Sequence, residues 1–275
     1  MVPLRTERKR KPREEFDDPA EQLRAAREDL ERKVEGLITE DDTPVDNLFS
    51  ERQQRLLTNS LYASWRVPAG KKKSPRKFLA MANVGLFPTP QQKSVAVPDV
   101  LLSLDVKTPK DVQTKKHRSY FIWLYGKPPD VVIEIVSNRR GGELTTKKQK
   151  YARMRVPYYV VHDPARRLSL NKLTVFELQG RNYVQRGDHW LPDIGLGLAI
   201  VEGEFEDVTA QWLRWCDAEG QPLATAYERS NQEAKRAEQE AQRAKQEAQR
   251  AEREARRAKK LAAKLKELGI DPDKL

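Results

Sequence analysis

The stretch PPDVVIEIVSNRRGG, Pro128 to Gly142, constrains this chain more than any other. Its apolar run Val131–Val136 consists of five β-branched aliphatics broken once, by Glu134. Such a run, entered through prolines and left through asparagine and glycine, reads as a strand buried on both faces. Side chains alternate across a strand, so Glu134 shares a face with Val132 and Val136. An ionised carboxylate held there alone costs several kcal/mol or more, so it must meet a cation, a metal or an opening to water. The rest of the chain has to supply that partner.

Other apolar segments are at hand. FLAMANVGLF (Phe78–Phe87) reads as a first strand and SVAVPDVLLSLDV (Ser94–Val106) as a second that can lie beside the Glu134 strand, while SYFIWLYG (Ser119–Gly126) is a strand or a bent connection. After the Gly141-Gly142 break, ELTTKKQKYARMR (Glu143–Arg155) reads as a helix and VPYYVVHDP (Val156–Pro164) as a strand returning parallel to the Glu134 strand. LSLNKLTVFELQGRNYVQRG reads as a hairpin turning at Gln179–Asn182, an antiparallel appendage to an α/β middle. Upstream, Ser50 is the expected N-cap of a helix whose apolar face includes Leu56, Leu57 and Leu61.

Among the carboxylates, Asp99 stands at the mouth of the second strand and is the one able to join Glu134. Asp130 lies about 13 Å from Glu134 along the same strand and Asp105 about 20 Å beyond Asp99, too far to share one ion. Two carboxylates on adjacent strands, completed by waters and a backbone carbonyl, that of Ile135, suit Mg²⁺, for which Mn²⁺ can substitute. His117, His162 and His189 lack the close spacing of a zinc site. The helix after Gly142 offers Lys147, Lys148 and Lys150 as cations. Lys147 lies one turn after Leu144 and one before Tyr151, so it shares their packed side and points towards Glu134, whereas Lys150 points elsewhere.

Charge fits an anionic partner. Of the net +11, the middle of the chain carries +10, with 28 Lys/Arg against 18 Asp/Glu, and excess positive charge in the folded part favours nucleic acid. Cys216 is the single cysteine, which excludes an intramolecular disulfide and a cysteine-rich zinc site and fits a reducing cytoplasm. No stretch has the length or apolarity of a membrane span or a signal peptide. Residues 1–44 form a charged extension, with the basic cluster Arg5–Arg13 and a helix expected at Pro19–Leu37. The main domain spans 45–225. Within the tail, 226–275, the sequence repeats from Glu233 as EAKRAEQ, EAQRAKQ, EAQRAER, EARRAKK, and Gly269 is the C-cap candidate. Alanines at three-four spacing make a heptad seam with small knobs, so this tail is expected to be a long helix that associates weakly with itself or with a partner helix.

The succession SVAVPDVLL, PDVVIEIVS, the GGE turn, K-x-x-x-Y-A-R and VPYYVVHDP resembles the Uma-two family of endonucleases, within the PD-(D/E)xK nuclease superfamily, over roughly Val45–Ala224. The resemblance implies a restriction-endonuclease-like mixed central sheet flanked by helices, and a DNA-cleaving site built on Asp99, Glu134 and Lys147. One departure stands out. The superfamily's E-x-K would place lysine at Val136, so the resemblance moves it to Lys147 on the following helix, where the face argument also points. Glu51 is the nearest counterpart of the helix glutamate that the superfamily often adds, and Gln54 and Tyr151 are further candidates. Gln54, Arg139 and Arg140 could touch phosphates. The rival reading is an inactive nuclease fold that binds nucleic acid or serves as a scaffold through its helical tail.

Overall fold

The computed structural model describes residues 24, 47–68, 76–88, 96–111, 119–168 and 171–267. The chain divides into two units, Met1–Val45 and Asp46–Leu275, and every described residue except Arg24 belongs to the second. The basic cluster Arg5–Arg13, nearly all of the Pro19–Leu37 segment, His117 and Gly269 lie outside the described residues.

In chain order the elements are α1 (Leu48–Ser64), β1 (Phe78–Ala82), β2 (Leu86–Phe87), β3 (Val100–Leu104), β4 (Tyr120–Phe121), a short α2 (Ile122–Tyr125) and β5 (Val131–Ile135). A π-helical turn (Glu143–Lys147) runs into α3 (Lys148–Arg153), followed by β6 (Tyr158–His162), β7 (Leu173–Gln179), β8 (Asn182–Gln185), β9 (Trp190–Leu191), β10 (Leu196–Phe205), β11 (Val208–Cys216) and α4 (Ala226–Glu267). The fold is mixed α/β. Its main sheet has the order β1-β3-β5-β6-β7-β8, in which β5 and β6 are parallel and the other neighbours antiparallel.

Alternation along β5 explains why every residue of that strand is buried. Val131 and Ile133 enter one core with Leu57 and Leu61 of α1, Val160 of β6 and Leu213 and Trp215 of β11. Val132 enters the other, with Tyr151 of α3, Tyr159, Phe176 and Tyr183. Glu134 falls on this second face, between Val132 and Val136 in the alternation. The central strands are therefore covered on both sides.

Several boundaries differ from the sequence expectation. The helix N-cap is Asn47, whose Oδ1 accepts the Ser50 amide at 2.9 Å, rather than Ser50 itself. The expected first strand is two, because Asn83 takes a left-handed φ of 52° that ends β1. The second is only Val100–Leu104, stopped by Asp105 at φ 59°. Ser119–Gly126 is two strand residues followed by a helical turn. The hairpin turns where expected, between Gln179 and Asn182, but it belongs to the main sheet rather than to an appendage.

The three-stranded sheet β9-β10-β11 has no counterpart in the sequence reading. Its long hairpin turns at Glu206 and Asp207, both at positive φ, where a glycine or asparagine would have signalled the turn. This sheet anchors α1. The Gln53 side chain acts as a short length of strand, accepting the Leu213 amide and donating to the Leu213 carbonyl, each at 2.8 Å. Phe49 stacks on Trp212 with ring centroids 5.1 Å apart.

The tail begins docked. Glu228 accepts both Arg214 guanidinium nitrogens at 3.0 and 2.8 Å, Arg229 donates to the Ala63 carbonyl, and the Ala226 amide donates to Asn59. Beyond Arg229 nearly every described side chain of α4 is exposed. Removing residues 234–275 should therefore leave the thermal midpoint unchanged. Cutting before Glu228 strips the buried Arg214 of its carboxylate and costs about 1–3 kcal/mol. Differential scanning of the two truncations checks this, and equal midpoints would show that the docking contributes nothing.

Burial also sets a pH dependence at His162, on β6. Its Nδ1–H donates to the Lys172 carbonyl at 3.1 Å, and Nε2 has no partner among the described residues. Burial pulls the imidazole down to about 4, against the opposing effects of that carbonyl and of Asp163. In the unfolded chain the ring protonates near the ordinary histidine value, so between there and pH 4 the unfolded state binds the extra proton. His162 thus adds stability above about pH 6.5, and up to about 3 kcal/mol of it is lost as the pH falls towards 4. Urea midpoints measured across that range should fall less steeply in His162→Asn, which keeps a donor for Lys172 but does not titrate. Parallel slopes would locate the acid sensitivity elsewhere.

Candidate active site

Sheet register brings the two acids together. Val100 of β3 pairs with Ile133 of β5, and continuing that antiparallel register by one residue sets Asp99 opposite Glu134, where directly opposed Cβ atoms stand about 5 Å apart. Asp99 is tied down from two sides. Its Oδ1 accepts Gln54 Nε2 of α1 at 2.9 Å and its Oδ2 accepts the Ile135 amide at 2.6 Å. Glu134, 1% exposed, is clamped from the helix side: Oε1 accepts the Tyr151 hydroxyl at 2.5 Å and Oε2 accepts Lys147 Nζ at 3.0 Å. The partner that a buried carboxylate requires is thus a lysine.

The Gly-Gly break lets the helix begin close to the sheet. Gly142 has φ 71°, a conformation costly for a residue with Cβ, and its carbonyl accepts the Lys147 amide at 2.9 Å, five residues on, which closes the π turn. The same turn folds Glu143 back over Gly141, where a Cβ would stand 2.0 Å from Glu143 Oε1. Glu143 is buried, and that oxygen accepts Lys147 Nζ at 3.3 Å. One ammonium is therefore shared by two buried carboxylates. The Tyr159 hydroxyl holds the Glu143 carbonyl at 2.8 Å and fixes the turn on β6.

Burial raises the Glu134 carboxyl above its ordinary value, while the Lys147 charge and the Tyr151 and Lys147 hydrogen bonds oppose that rise. For Lys147, burial works downward, but the Glu134 and Glu143 carboxylates outweigh it and the net shift is up, so the ammonium is firmly protonated. Burial and the adjacent Glu134 likewise lift Tyr151, which stays a hydrogen-bond donor. Negative charge remains in excess. Two buried carboxylates share one lysine, Asp99 stands opposite Glu134, and Glu143 Oε2 is buried with no partner among the described residues.

That excess bears on whether a metal suits the site. Among the described residues, no group of three or more His, Cys, Asp or Glu is gathered to hold an ion unaided. Mg²⁺ does not need such a cage, since it is commonly held by one or two carboxylates with waters and substrate phosphates. Asp99 and Glu134 supply hard oxygens, and a carboxylate oxygen that accepts one hydrogen bond retains a second lone pair. The donor set fits Mg²⁺ or Mn²⁺.

Of the residues singled out in the sequence, Asp99, Glu134, Lys147, Tyr151 and Gln54 converge, with Gln54 holding Asp99. Ile135, expected to offer its carbonyl to the ion, meets Asp99 through its amide. Glu51 is not brought there: it is half exposed and pairs with Arg55 at 2.7 Å. Lys148 lies over the Phe176 ring, and Arg139 and Arg140 are exposed. Asp130 closes the entrance of β5 by accepting the Leu104 amide at 2.7 Å and Lys127 Nζ at 2.5 Å, while Asp105 pairs with Arg76. The residue missed was Glu143. Its position four before Lys147, directly after two glycines, was the available signal.

Residues 14–205 match the Uma2 family, described as "Putative restriction endonuclease". No curated protein and no solved structure matches.

Proposed function

The chain belongs to the Uma2 family, and on that premise we propose that it is a metal-dependent endonuclease hydrolysing phosphodiester bonds of DNA at Asp99, Glu134 and Lys147. The observation that carries this reading is the buried Glu134, held between Lys147 and Tyr151 and set opposite Asp99 by sheet register.

Asp99 and Glu134 would hold Mg²⁺, which when bound supplies Lewis-acid polarisation of the scissile phosphate. The protein's own groups do the positioning. Gln54 and the Ile135 amide aim the Asp99 carboxylate, and Tyr151 aims that of Glu134. Lys147 presents a protonated ammonium in a partly closed site, where it orients the attacking water by donating to it and offsets the negative charge that grows on the phosphoryl oxygens. Glu143 keeps that ammonium in place as it turns from Glu134 towards substrate. The high basicity of Lys147 makes it an electrostatic group rather than a proton acceptor.

The domain responsible is proposed to span 45–225. The tail from 226 is proposed to associate weakly, through alanine contacts that salt modulates. Incubating supercoiled plasmid with purified protein and Mg²⁺, Mn²⁺ or EDTA tests the activity. Nicking or linearisation with either metal and none with EDTA is expected. Intact plasmid under all three conditions would leave a nuclease fold without activity.

A further inference from the structure

Between α3 and the β7–β8 turn lies a hollow of about 620 Å³ whose lining includes Lys148, Arg153, Arg181, Gln149, Asn182 and Tyr183. No acidic residue lines it. Among the described residues, none of the three cations has a carboxylate partner. Lys148 instead sits 3.8 Å from the centroid of the Phe176 ring, a contact that orients an ammonium without neutralising it. Arg155 donates to the Gly180 carbonyl, tying the turn that carries Arg181 to the end of α3 that carries Arg153. Two separate elements are thereby held with their cations facing one space.

Like charges gathered without a counter-charge repel one another, and an anion in the hollow removes that penalty. The amides of Gln149 and Asn182 add neutral donors of the kind that contact phosphate oxygens. Arg153, Arg181, Gln149 and Asn182 are exposed, so the hollow is open along its rim and admits a polymer. Its lining residue Lys148 directly follows Lys147, whose ammonium faces Glu134, so the hollow and the candidate active site are served by one helical segment.

We propose that this hollow is a phosphate subsite holding the DNA backbone on one side of the cleavage position. The inference rests on the nuclease reading for its choice of polyanion, and measuring affinity apart from cleavage separates the two. Binding of a short fluorescein-labelled duplex is followed by anisotropy in EDTA at several salt concentrations, for the intact protein, Arg153→Gln/Arg181→Gln, and the triple variant adding Lys148→Gln. The control, Arg243→Gln/Arg250→Gln, makes the same charge change on the exposed tail. Thermal midpoints confirm folding, and the double variant covers the case in which loss of Lys148 disturbs Phe176.

The hollow variants should bind about tenfold or more weaker, with the slope of log affinity against log salt reduced by about two in the double variant and about three in the triple, while the tail control matches the intact protein. Hollow variants that bind like the intact protein, an equal loss in the tail control, or no binding by the intact protein would overturn the subsite. Plasmid cleavage reads the other question. Cleavage by the intact protein, with hollow variants unchanged in affinity, removes the subsite and leaves the nuclease reading. No cleavage, with affinity lost in the hollow variants, does the reverse.

Discussion

Replacing Lys147 with alanine should lower the rate of DNA cleavage a hundredfold or more, while duplex affinity changes by less than about threefold. The ammonium sits 3.0 Å from Glu134 and 3.3 Å from Glu143, and in the proposed mechanism its charge acts at the scissile phosphate rather than along the DNA backbone. An interaction made chiefly in the transition state shows in turnover and not in binding. Lys150→Ala should change neither quantity, and Lys148→Ala should alter affinity alone. Stability gives an independent reading. Lys147→Ala leaves two buried carboxylates without their cation and should lower the thermal midpoint. Adding Glu134→Gln should recover part of that loss without recovering cleavage, because removing both charges is cheaper than stranding one. If Lys147→Ala weakens affinity and leaves turnover per bound complex intact, the lysine is part of a basic surface and the binding-protein reading gains.

Glu134→Ala should abolish cleavage and, by calorimetry, Mn²⁺ binding. It also removes the acceptor for a fully buried tyrosine hydroxyl, so a loss of stability could be confused with a loss of ligand. Glu134→Gln separates the two effects. It keeps an oxygen for Tyr151 and nearly the same volume while withdrawing the charge that a hard cation needs. The glutamine variant should fold, retain duplex affinity in EDTA and bind no Mn²⁺. Asp99→Asn should behave alike, since its remaining oxygen can still accept the Ile135 amide. Mn²⁺ binding retained in both isosteric variants would remove the proposed metal site, whatever their activity.

Much of this architecture is legible in the sequence. The β-branched run around Glu134 forced a strand buried on both faces, and the returning Tyr158–His162 segment, after a helical crossover, had to be its parallel neighbour. The acid in that run demanded a cation, and helical spacing selected Lys147 over Lys150 because only Lys147 shares a side with Tyr151. These are local inferences. They follow from burial cost, alternation and periodicity, which each short segment carries within itself.

What the segments did not carry was decided by contacts between distant parts of the chain. Gln54 reaches Asp99 across 45 residues, and Gln53 pairs with β11 across 160, so neither partner is readable from its own neighbourhood. The second sheet is not readable from the sequence because its hairpin turns on Glu206 and Asp207, of which only Asp207 has an intrinsic turn preference, and both hold positive φ under the pairing of the long strands beside them. Glu143 entered the site only through the π turn, a one-residue widening fixed by the Gly142 conformation and by Tyr159 from another strand. The sequence alone determined that a buried acid must be paired and which helix would pair it. The tertiary structure determined that the pair is a triad with Glu143, because its geometry depends on how closely that helix can approach the sheet.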